Sequence, residues 1–326
     1  MNWKRNFTGI LAAIGLFVLI IDGRLALEGA RSGIDLCIKT VIPSLFPFFV
    51  LSMILTNTLG GSNFFLRMIA RGLGISKNAA PVLIPSVLGG YPVGAKCVSD
   101  LYARNQIGKS EAERLLAFCS NAGPSFLFGM VSGFFPEKKM VWMLWLIQIF
   151  CATLTAAVIS AKHHDHQEVR SETISEQKSL MLSATKAMGL VCCWVILFRI
   201  IISFLNSWFL WMLPAWVQVL MMGLLELTNG CCELLLITNV KLRFVLCACM
   251  LSFGGICVLL QTASVIKGLS LGHYVKGKLI QTAFTFLLSS AVVVEQGWIL
   301  LASAAILVMV IRKMQKRYSN PWILPV

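Results

Sequence analysis

Charge is scarce in this sequence. Only 13% of its 326 residues are Asp, Glu, Lys or Arg, and only 14 are acidic. A soluble domain carries roughly twice that fraction. Long polar stretches are also missing. The longest, Lys162 to Ser179, is far too short to fold alone, which excludes a separate soluble domain. No phosphate-binding loop, zinc-ligand pattern or nucleophile–base pair occurs, so the expected protein is not an enzyme and carries no cofactor. The 11 cysteines all lie within or beside apolar segments, with no CxxC pair in a polar loop. They read as small packing residues rather than disulfide or metal positions. Met1 to Ile21 has a basic start and an apolar run but no small-residue cleavage site before Asp22, so a retained first span is expected.

Apolar residues are what the chain has in excess. They make up 57% of it, in runs of membrane-spanning length from end to end. The expected class is an all-α, polytopic helical membrane protein, with the lipid bilayer as its first partner. Its net charge of +14 would suggest nucleic acid in a soluble protein, but here the basic residues sit at the ends of apolar runs. That is the pattern of cytoplasmic retention signals, and no nucleic-acid partner is expected.

The organising stretch is Gly89-Gly90-Tyr91-Pro92-Val93-Gly94-Ala95-Lys96, between two apolar runs too short to span a bilayer, Ala79 to Leu88 and Ala95 to Leu101. Glycine and proline break any helix there. Broken backbone survives at membrane depth only inside protein or beside a water-filled cavity. A re-entrant hairpin is expected, with a single glycine-kinked helix as the alternative. The next span, Ala112 to Phe134, is interrupted at Ser120-Asn121-Ala122-Gly123-Pro124-Ser125, and Met140 to Ala161 is an ordinary span. The second half repeats this order. Leu180 to Phe204 is a span, and Trp208 to Val240 is a hairpin with Glu226-Leu227-Thr228-Asn229-Gly230 at its tip. Phe244 to Thr262 is interrupted at Ser252-Phe253-Gly254-Gly255, and Leu279 to Val294 is a span.

The reading is a single transmembrane domain over 1–326. Residues 1–39 form a first span and an interfacial helix, 40–161 a first repeat, 180–294 a second repeat, and 295–326 a last span, Trp298 to Ile311, with a basic tail. Each repeat crosses an odd number of times, so two copies insert in opposite orientations, as in secondary transporters. Eight spans and two hairpins with both termini cytoplasmic put 19 of the 28 Lys and Arg residues inside, Lys278 among them, and 7 outside.

A polar solute site in such a chain needs polar groups that lipid tolerates only when protein encloses them. The candidates are the tip residues Gly90, Tyr91, Pro92 and Gly94, then Lys96, Asn121, Gly123, Ser125, Glu226, Thr228, Asn229, Ser252, Gly254 and Gln261. A carboxylate such as Glu226 suits hydroxyls or a coupling cation, and side-chain amides both donate and accept. Plainer roles compete: Asn121 and Gln261 as caps of broken helices, Lys96 snorkelling to the interface, and Glu226 as a structural partner of Arg199. His163, His164 and His166 resemble a metal tract, yet no matching ligand set accompanies them, and no metal is expected.

GGYPVGAK, Asp100-Leu101-Tyr102, the run Ser110 to Leu116 and SNAGPSF together resemble the nucleoside-recognition (Gate) domain family. They come closest to its sporulation integral membrane protein branch, the YlbJ-like proteins of endospore-forming bacteria. ELTNG and Ser252 to Gly255 with Gln261 look like second-half motifs of that branch, and the resemblance covers about Thr40 to Thr285. It implies a fold similar to the core of concentrative nucleoside transporters, with two hairpins around a midplane site. The implied function is movement or sensing of a small polar solute, nucleoside-like in the simplest case. The alternative is a non-transporting membrane component of spore cortex or coat assembly, acting through sporulation proteins or as a homo-oligomer.

Overall fold

A computed structural model describes residues 2–58, 64–160 and 180–294, together with 302 and 309. Every element among the described residues is helical. The histidine tract, and the expected last span apart from 302 and 309, lie outside the described residues. Among the described residues, four helical stretches are long and apolar enough to cross a membrane: Gly23–Leu51, Lys138–Ile159, Met181–Trp208 and Val240–Val265.

Helix α1 covers Asn2–Ile21, α2 Gly23–Leu36 and α3 Ile42–Thr58. The sequence suggested a separate interfacial helix over Asp22 to Lys39. Instead α2 runs into α3 through one π-helical turn, Cys37–Val41. Pro43 has no N–H for the carbonyl four residues back, and the widened turn absorbs that loss. Helix α2 packs along α10 (Leu180–Trp208). Gly29 and Gly33 let the backbones touch: a Cβ on them would lie 3.0 Å from the Cα of Ile200 and 2.9 Å from that of Ile196. Small residues four apart bring membrane helices together in this way.

The amphipathic helix α4 (Phe64–Gly72) precedes the first hairpin, whose arms are α5 (Leu83–Leu88) and α6 (Val93–Ala103). Helices α7 (Lys109–Leu116) and α8 (Pro124–Gly129) are the two pieces of the interrupted segment, and α9 (Lys138–Ser160) follows. After α10 the order recurs. Helices α11 (Ala215–Leu225) and α12 (Leu227–Cys232) form the second hairpin, and α13 (Val240–Phe253) and α14 (Gly255–Val265) the second interrupted segment. Helix α15 (Gly272–Val293) comes next. The second break turns on Gly254 and Gly255, both left-handed at φ +83° and +84°, a conformation that costs a side chain roughly 1–2 kcal/mol.

Helix α15 departs from the simple span expected at Leu279 to Val294. It packs against α7, α9 and α13, so both halves contribute to its surroundings. Its buried side is polar: Tyr274, Lys278, Gln281, Thr285 and Ser289 recur at helical spacing, and all are buried. Lys278 is 1% exposed. Its place among the cytoplasmic loop charges is therefore corrected, because the helix starts before it and carries it into the bundle.

Candidate functional site

The first hairpin tip is pressed against the first break. Gly90 has φ +76°, and a Cβ on Gly123 would lie 3.0 Å from the Gly90 nitrogen. A side chain there would push the two backbones apart by a few tenths of an ångström. A Cβ on Gly94 would likewise run into the carbonyl of Cys119. Tyr91, joined to Pro92 by a cis peptide, reaches from this tip into the second half. Its hydroxyl donates to the carbonyls of Leu251 (2.9 Å) and Ser252 (3.3 Å), just before the second break. Its ring rests on Gly254, where a Cβ would come within 3.2 Å.

The polar side of α15 runs behind this junction. Lys278 Nζ donates to Tyr91 Oη (3.1 Å), to Gln281 Oε1 (3.1 Å) and to the freed carbonyl of Ser120. Gln281 Nε2 donates to Asn121 Oδ1 (2.8 Å), and Asn121 Nδ2 donates to the carbonyls of Phe118 (2.8 Å) and Ser86 (3.2 Å). Thr285 Oγ1 lies 3.1 Å from Ser252 Oγ. Broken backbone at membrane depth was expected either inside protein or beside a water-filled cavity. For the carbonyls of Ser120, Leu251 and Ser252 the structure shows the first of these: protein side chains take them.

The second tip carries the charge. Glu226 caps α12, and its Oε2 accepts both the backbone N–H and the side-chain N–H of Asn229, each at 2.7 Å. Asn229 Oδ1 accepts from Arg199 (2.6 Å), and Arg199 Nε donates to Ser32 Oγ (3.0 Å). Glu226 and Arg199 thus communicate through Asn229 and do not pair directly. A carboxylate that is 1% exposed needs such donors, because burying it without them costs several kcal/mol. A cavity of about 40 Å³ lies between the two tips. Tyr91, Gly123, Glu226, Thr228 and Gln261 line it, among apolar neighbours from α3, α10 and α14.

Five of the sequence-derived candidates therefore line one cavity. Gly90, Pro92, Gly94, Asn121, Asn229, Ser252 and Gly254 form the tips and breaks around it. Lys96 stands apart, in an ion pair with Asp100 one turn along α6. Ser125 also stands apart, on α8, where its hydroxyl has no partner among the described residues. Lys278, Gln281 and Thr285 were missed, although their spacing along an otherwise apolar run was a readable signal.

A curated protein matches part of this chain. The sporulation integral membrane protein YlbJ of Bacillus subtilis (strain 168) is 34% identical to it over 151 residues, which are 43% of this chain and 36% of that protein. The match thus covers about a third of the curated relative. No family model matches the chain, and no solved structure matches it. With its apolar helices, the match makes this a multi-pass helical membrane protein related to a sporulation membrane protein.

Proposed function

We propose that this chain moves or senses a small polar solute, nucleoside-like in the simplest case, between its two hairpins during sporulation. One observation carries the reading. Both hairpin tips, the first break and α14 line a single cavity that holds a carboxylate, a hydroxyl and an amide. Polar groups of this kind inside a membrane protein mark solute and ion pathways by default. Glu226 would accept from solute hydroxyls or hold a coupling cation, Thr228 and Gln261 would add hydrogen bonds, and the Tyr91 ring would form an apolar wall. The resemblance to the Gate family and the nucleoside-transporter core supports this reading, as does the repeated element order. In it, 40–161 and 180–294 are inverted repeats of an eight-span domain with cytoplasmic termini.

A cavity of about 40 Å³ holds a few waters, at roughly 10–15 Å³ each, and no nucleoside. On this reading the conformation is closed, and a solute enters only when the tips part. The same tight packing favours the second reading, a non-transporting component of spore cortex or coat assembly that acts through protein partners. Uptake of labelled nucleosides and other small polar solutes into proteoliposomes separates the two. Transport requires solute accumulation above that of empty vesicles; the second reading requires none. The orientation has its own check. A single cysteine at Gln106, in an otherwise cysteine-free chain, should react from the cytoplasmic side, and labelling from outside would overturn the inverted repeat.

A further inference from the structure

We propose a second site beside the first hairpin, built for an uncharged, hydroxyl-bearing lipid of the diacylglycerol kind. A cavity of about 410 Å³ lies among α4, α5, the first break and α9. That size falls within the roughly 300–1,000 Å³ range of ligand pockets. Leu66, Ile69, Leu83, Ile149 and Ala152 supply part of an almost wholly apolar wall. None of the residues lining the cavity is ionisable. A phosphate or carboxylate headgroup would enter without a counter-charge, which low-dielectric surroundings penalise heavily. A soluble polar metabolite gains nothing from such a wall. An acyl chain arriving from the bilayer does, at roughly 0.8 kcal/mol per buried methylene.

The polar feature of the wall defines the headgroup. Gln148, 2% exposed, lines the cavity on α9; its amide N–H reaches the Leu251 carbonyl at 3.4 Å, and no described residue donates to its Oε1. Trp145 lines the same wall one turn earlier, and its indole N–H has no acceptor among the described residues. The two groups are thus an acceptor and a donor on one helix face. A hydroxyl is itself both donor and acceptor, the headgroup chemistry that answers both kinds of unmet group. Each buried group left unmet costs roughly 1–3 kcal/mol. Ser86 and Asn121 also line this cavity, and Asn121 bonds Gln281 of the central network. An occupant here therefore touches the hairpin whose tip forms the other cavity.

The full chain in phosphatidylcholine nanodiscs, doped with a diacylglycerol carrying a photoreactive acyl chain, gives the test. Phosphatidylglycerol with the same chain is the charged comparator, and adducts are mapped by mass spectrometry. The expected adducts concentrate on α4, α5 and α9 with the neutral lipid only. Ala152→Trp, which fills the cavity, should remove them. Gln148→Leu, which deletes one hydrogen bond, should reduce them by about fivefold. Melting with a thiol-reactive dye checks that each variant is folded, and Gln148→Leu carries the test if Ala152→Trp is not. Equal labelling by both lipids, or labelling unchanged in a folded variant, overturns the site and assigns the polar pair to water. Neither result depends on whether the chain transports a solute.

Discussion

The two hairpin tips are built by opposite means. The first is a contact of backbones. Gly90 meets Gly123, Gly94 meets the Cys119 carbonyl, and Tyr91 spans to the carbonyls before the second break. The second tip is a relay of side chains, from Arg199 through Asn229 to Glu226, with the carboxylate at the cavity. One tip is fixed by what it lacks, a Cβ. The other is fixed by donors that match a buried acceptor. The first tip ties the halves together by contact and hydrogen bond, and on the proposed function the second carries the group that meets a solute.

Substitutions should grade along this contrast. Gly94→Leu should have the largest effect on stability. Its Cβ would collide with the Cys119 carbonyl itself, so backbone must move and the cost exceeds the roughly 1–3 kcal/mol of ordinary side-chain overpacking. Loss of folded protein in fluorescence-detected chromatography is the expected readout. Lys278→Met comes next. It leaves the Ser120 carbonyl and the Gln281 oxygen without their donor. At roughly 1–3 kcal/mol per orphaned group, the melting temperature should fall by about 5–10 °C. The buried cysteines, reporting through a thiol-reactive dye, make that measurement direct. Tyr91→Phe removes one bridge between the halves and keeps the ring on Gly254, so a loss of about 1–2 kcal/mol is expected in the same assay. Glu226→Gln should be the mildest for stability, under about 1 kcal/mol, because an amide oxygen still accepts from Asn229.

The fold was legible in outline because broken apolar runs carry their own logic. GGYPVG and ELTNG each sit between segments too short to cross a bilayer, and the structure puts a hairpin turn at both. The continuity of α2 with α3 was not legible. Mixed charge over Asp22 to Lys39 reads as interfacial, and only packing on α10, through Gly29 and Gly33, explains the long helix. In the site, the carboxylate and the tips could be named from sequence because glycine, proline and acid are conspicuous in apolar surroundings. Lys278 was hidden by its neighbour Lys276, which made the pair look like a loop end. The partition of polar groups between network and cavity was also beyond the sequence, since it depends on which side of Tyr91 each element passes.

The account rests on the claim that the charged tip meets a solute while the glycine tip holds the structure. The most direct measurement takes wild type and Glu226→Gln through two readouts together, solute uptake in proteoliposomes and melting temperature. The predicted result is uptake by wild type that is lost in Glu226→Gln, with melting shifted by no more than about 2–4 °C, the equivalent of roughly 1 kcal/mol. Uptake equal in the two proteins, neither uptake nor binding of a solute by folded wild type, or a melting loss as large as that of Lys278→Met would contradict it.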